Sequence, residues 1–179
     1  AQLEAAFNTL PERVPQIDAQ PITGQLDTLR RLIDSAPASE RDDPALRVRE
    51  GQLEYRAGRM DKAAGIFQQL LDRKPEVPGD IRARALMGKG ATAIRRGDPV
   101  AAENDYAQAL AVPENEAGQG RDPALIGNAY NGRGVARIQQ KKVEGAVSDV
   151  GMARIAMLRA GSTVEAAAAR HHLRIVATG

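Results

Sequence analysis

Apolar positions recur at three- and four-residue spacing along most of the chain, and no segment alternates apolar and polar residues as a strand would. Leu26, Leu29, Leu32 and Ile33 set this rhythm early and predict a helix over 24–36. Further on, helix starts are marked by Asp43-Pro44, Asp98-Pro99 and Asp122-Pro123. In such a pair the aspartate can accept from a free first-turn amide, while proline lacks the amide that would go unpaired. Gly79-Asp80 offers another start, and Ser162-Thr163-Val164-Glu165 reads as a capping box. These signals predict helices over 44–57, 60–73, 80–96, 99–112, 123–140, 143–160 and 163–176. One more is expected within 1–10. Residues 11–23, with three prolines, read as a connector, and the polar stretch Glu114 to Arg121 as a loop.

Two residues separate the helices at 58–59, 97–98 and 141–142, so these neighbours must run antiparallel as hairpins. A single hairpin cannot bury its apolar stripe; hairpins in series must stack. The hairpins also repeat. Gly51 is followed by Gly58 seven residues on, Ala63 five later, Phe67 four later and Pro75 eight later. Gly90 leads at the same offsets to Gly97, Ala102 and Tyr106, with Pro113 one place early. Gly134 leads to Lys141, Ala146 and Val150, and Leu158 stands in the proline's place. A mid-helix glycine costs about 1 kcal/mol against alanine, so glycine at equivalent places implies close helix approach. Ala63, Ala102 and Ala146 are expected opposite these glycines, with Phe67 and Tyr106 filling the space between neighbouring hairpins.

This ladder resembles the tetratricopeptide repeat family over about 44–160. The resemblance implies an all-α fold, a right-handed superhelical stack of antiparallel helical hairpins. It divides the chain into an N-terminal helical extension (1–43), three repeats (about 44–78, 80–114 and 123–160) and a C-terminal capping helix (161–179). Residues 24–36 read as the second helix of an eroded earlier repeat. The glycine-to-glycine periods, 39 and 44 residues, exceed the family's usual length of roughly 34. The extra length falls between hairpins, at 76–80 and 114–122.

Composition narrows the chemistry. The 179 residues include no cysteine, which removes disulfides, thiolate metal sites and cysteine nucleophiles. Alanine and arginine, good helix formers, dominate, and only five aromatics occur. His171 and His172 are the two histidines, and on a helix they point about 100° apart, too far to chelate together. No phosphate loop, nucleophile elbow or metal-ligand spacing is present, so neither an enzymatic role nor a metal or other cofactor is expected. A net charge of +2 and the lack of regular base-reading pairs argue against nucleic acid, and no apolar run suits direct membrane insertion. The Ala1-Gln2 start reads as a mature exported protein or an excised domain. With the missing cysteines it favours a periplasmic or other extracytoplasmic location, cytoplasm being the alternative.

The resemblance also implies where a partner binds, because in this family the first helices line a concave groove. Its expected lining is Val48, Gln52, Tyr55 and Arg56, then Arg84, Met87, Ile94 and Arg95, then Asn128, Asn131, Val135 and Ile138. Apolar members can take anchor side chains, while arginine and amide groups can satisfy a peptide backbone or its carboxylates. A carboxylate clamp is not expected, since Val48 and Gln52 stand where its Lys and Asn would be. The implied function is a non-catalytic scaffold or assembly factor binding a protein or peptide partner; the alternative is a sensory or regulatory module of a larger receptor. No motif specifies the oligomeric state.

Overall fold

The computed structural model describes residues 19–113 and 122–161. Among the described residues there are eight helices and no strand: α1 Ala19–Ser35, α2 Ala38–Arg41, α3 Pro44–Arg56, α4 Met60–Leu71, α5 Gly79–Arg95, α6 Pro99–Ala111, α7 Pro123–Gln139 and α8 Val143–Arg159. The helices expected at 1–10 and 163–176, the loop at 114–121 and both histidines lie outside them. Asp43, Asp98 and Asp122 cap their helices as expected, accepting from the amides of Ala45 at 2.8 Å, Ala101 at 2.9 Å and Ala124 at 2.9 Å. One boundary is corrected. The connector predicted over 11–23 is helical from Ala19, because α1 takes Pro21 into its first turn, where amides have no intrahelical acceptor. The single turn α2 has no counterpart in the sequence pattern.

Tight turns close the pairs α3–α4, α5–α6 and α7–α8. Gly58 (φ 78°) and Gly97 (φ 77°) are left-handed, the conformation that favours glycine. Their amides reach back to the carbonyls of Tyr55 and Ile94, both at 3.1 Å, and the next amides reach Glu54 and Ala93, both at 2.9 Å. The third turn makes the same two bonds, Lys141 to Ile138 and Lys142 to Arg137, each 2.9 Å, although a lysine occupies the left-handed position at φ 60°.

From α3 to α8 each helix packs on the next, and the first helices of the pairs, α3, α5 and α7, also touch one another. The small residues explain this closeness. A methyl on Gly51 would come within 2.6 Å of the Phe67 ring, one on Gly90 within 2.9 Å of Tyr106, and one on Gly134 within 2.9 Å of Val150. The partner of each glycine is therefore the ring or valine of its own second helix; Ala63, Ala102 and Ala146 are fully buried in the same pairs. Phe67 is also pressed by Gly88, and Tyr106 by Gly132, where an added methyl would overlap the ring. Each ring thus sits between a glycine of its own pair and a glycine of the following one. Pro75 lies in the connector between α4 and α5. At the other end, α1 packs on α3 through Leu26 and Leu29 against Leu46 and Leu53. The architecture is an all-α helical-repeat solenoid.

Candidate functional site

Because the first helices of successive pairs touch, their exposed faces form one wall. A cavity of about 310 Å³ opens on it, lined by Gln52, Tyr55 and Arg56 of α3, by Arg84, Met87, Gly88 and Ala91 of α5, and by Leu125 and Asn128 of α7. The rings of Phe67 and Tyr106 form part of its floor. The track crosses the wall diagonally, from the C-terminal half of α3, over the middle of α5, to the first turns of α7. Nine of its lining residues come from the first helices of the three pairs. Met87 packs against buried clusters on both its sides, which fixes the middle of the track.

The expected groove residues divide into three groups. Gln52, Tyr55, Arg56, Arg84, Met87 and Asn128 line the cavity. Ile94, Arg95, Asn131, Val135 and Ile138 lie further toward the C-terminal ends of α5 and α7, outside the lining. Ile94 packs there against Ala102, Tyr106 and Ala136. Val48 is corrected: it is 2% exposed and buried with Phe67, Val77 and Ile81. The connector before α5 and the first turn of α5 fold over that part of α3, so Val48 cannot meet a ligand. Gly88 and Leu125 were not foreseen in the lining. Gly88 was legible in Gly88-Lys89-Gly90, since residues two apart on a helix face about 200° apart and the second glycine must serve another neighbour.

Tyr55 joins two pairs at the edge of this track. Its hydroxyl accepts from Arg95 Nε at 3.3 Å, and the Arg95 guanidinium lies 5.2 Å from the ring centre, a cation–π arrangement. The ring also packs against the cluster containing Phe67, so Tyr55 is half structural.

Charges between helices are paired, some within a helix pair and some between neighbouring pairs. Lys89, between Gly88 and Gly90 of α5, reaches Asp105 at 3.4 Å; Arg133, between Gly132 and Gly134 of α7, holds Asp149 through two bonds of 2.7 and 2.9 Å. The two ion pairs are equivalent in the repeat. Burial raises the Asp105 carboxyl against the pull of Lys89, and the Asp149 bonds raise the Arg133 guanidinium further. Glu103 accepts from Lys142 at 2.6 Å, Arg137 at 2.8 Å and Gln140 at 2.9 Å, and these bonds, Lys142 first, lower its carboxyl to about 2. Glu54, 1% exposed, is held by Arg30 of α1 and by Arg59 at 3.2 Å. Burial raises the Tyr106 phenol above its ordinary range. These polar groups fasten helices together. The cavity itself is lined by arginine, amide, phenol and apolar groups.

Among the described residues no helix is long and apolar enough to cross a membrane. No curated protein matches the chain. A family model for the tetratricopeptide repeat matches residues 26–80 and again 49–122, a span of more than half the chain that begins within α1 and takes in the pairs α3–α4 and α5–α6. With that match, the ring-between-glycines joints and the stacked antiparallel pairs, the chain belongs to the tetratricopeptide repeat family.

Proposed function

We propose that this chain is a non-catalytic interaction module, an adaptor or assembly factor, that grips a short segment of another polypeptide on the wall of its first helices. Tetratricopeptide repeats generally mediate protein–protein interaction. The observation that supports this particular surface is the cavity to which α3, α5 and α7 all contribute. At about 310 Å³ it is at the small end of ligand pockets, which run roughly 300–1,000 Å³, and so suits a side chain of a docked segment. Met87, Ala91 and Leu125 offer apolar contact, while Gln52 and Asn128 can bond an extended backbone. Ile94, Arg95, Asn131, Val135 and Ile138 would flank the segment beyond the cavity. The same proposal reads 44–160 as three working repeats, 1–43 as an extension and 161–179 as a cap. In it, Leu29 stands eight residues before Pro37 as Phe67 stands before Pro75.

The experiment is a selection of random displayed peptides on the whole chain, repeated with Asn128→Trp. Asn128 is exposed at the mouth of the cavity, so tryptophan can fill it without disturbing the core. The peptides retained by the parent chain should lose binding to the variant. A pool that binds both equally would place the contact elsewhere.

A further inference from the structure

The second helices α4, α6 and α8 hold equivalent places in the stack but differ on their outer faces. Five of the six large apolar side chains left exposed among the described residues, Val143, Val147, Met152, Ile155 and Leu158, belong to α8; the sixth is Val100 of α6. Val147, Ile155 and Leu158, 39%, 47% and 51% exposed, share one face with Glu144 and Gly151, at steps of three, four, four and three residues. At the equivalent positions α4 and its cap carry Asp61, Ala64, Gln68 and Asp72, and α6 carries Val100, Glu103, Ala107 and Ala111. This is not the face that forms joints. Val150 and Ala153, equivalent to Tyr106 and Ala109, are buried on another side of α8. Gly151 adds an independent observation. It stands mid-helix, at a cost of about 1 kcal/mol against alanine, yet a methyl there would meet nothing within 4 Å. The joint glycines each make room for a neighbour's side chain; nothing in the described chain requires this one.

From this face we infer that the chain pairs with a second copy of itself through α8, the two helices antiparallel about a two-fold axis at Gly151. The steps along the face read the same from either end, so a reversed copy falls into register. Gly151 then meets Gly151, Val147 meets Ile155, and Glu144 comes over Leu158 beside Arg159. The bare glycine at the crossing lets two backbones approach, as the joint glycines do within the stack. Charge selects the direction. Glu144 and Arg159, both exposed, stand at opposite ends of α8, so antiparallel pairing brings opposite charges together at both ends. A parallel pair would set Glu144 against Glu144 and Arg159 against Arg159. The surface lies apart from the groove wall, to which α8 contributes no lining residue, and the inference does not depend on what that wall binds.

The test is sedimentation equilibrium of the whole chain. One helix face per copy makes a small interface, so the parent should reach twice its 19.1 kDa mass with a half-point below about 100 µM. Val147→Glu/Ile155→Glu should stay at the single-chain mass, and so should Val147→Lys/Ile155→Lys. An equimolar mixture of the two should dimerise, because each introduced acid then faces an introduced base. That recovery also shows that both variants are folded. The register is read by oxidation, since the chain has no cysteine of its own. Gly151→Cys should form a disulfide-linked dimer, whereas Gln68→Cys, at the equivalent place on α4, should not. A parent of single-chain mass throughout, as when residues 163–176 of the same chain cover the stripe, would overturn the inference. So would an acidic variant that still dimerises, a mixture that does not, or a Gly151→Cys chain that stays unlinked.

Discussion

The first two joints of the stack and the third pair share one backbone and differ in what fills it. Phe67 and Tyr106 are rings squeezed between glycines of two pairs, whereas Val150 meets, among the described glycines, only Gly134. Gly58 and Gly97 turn their hairpins without strain, and Lys141 makes the same turn with a side chain at φ 60°. The third pair compensates with charge: Asp149 receives Arg133 and also Arg137 at 2.9 Å, and Glu103 of α6 gathers Arg137, Gln140 and Lys142. The backbone of a repeat thus tolerates a change of filling. What it requires is a small residue wherever a bulky one arrives from a neighbour, and a turn bonded at two carbonyls.

Removing the filling should separate the two regions most sharply. Phe67→Ala should cost about 3–5 kcal/mol, because it empties two joints at once, and Val150→Ala about 2 kcal/mol. Urea midpoints measure both, and equal losses would erase the distinction. The charge contribution should separate next. The Glu103 carboxyl is lowered from 4.5 to about 2 in the folded chain, so it binds fewer protons than the unfolded chain between those values. Its stabilisation is complete above about pH 4.5 and is lost as the pH falls toward 2. The parent should therefore lose urea resistance between pH 5 and pH 3 by more than Glu103→Gln does. Parallel profiles would mean that the cluster adds nothing. The turn should give the smallest effect: Lys141→Gly should stabilise by about 1 kcal/mol and Gly97→Lys should destabilise by a similar amount, read from thermal midpoints.

Much of this was legible in the sequence, for identifiable reasons. Asp-Pro starts, turn glycines and the glycine–alanine–ring ladder act locally or at fixed offsets, so one strand of text contains them. Gly88 and Gly132 were harder, because their role depends on a ring delivered by the preceding pair. Val48 was misplaced for the same reason: the face arithmetic of α3 is sound, but the longer connector brings Val77 and Ile81 over it. The ion pairs between Lys89 and Asp105 and between Arg133 and Asp149 repeat at one offset, a signal present in the text that hydrophobic periodicity does not reveal. The expected groove residues that line the cavity are those on the diagonal where three helices approach. Those further along α5 and α7 were set outside it by the slant of the track.

The central claim, that successive pairs nest by pressing a ring onto a bare backbone, is tested most directly by a double-mutant cycle at Phe67 and Gly88. Gly88→Ala alone should destabilise by about 2 kcal/mol, since its methyl overlaps the ring. Combined with Phe67→Leu, which frees that space, its cost should shrink by about 1 kcal/mol or more. If the two losses simply add, within about 0.5 kcal/mol, the ring and the glycine do not share a joint and the account of the stack is wrong.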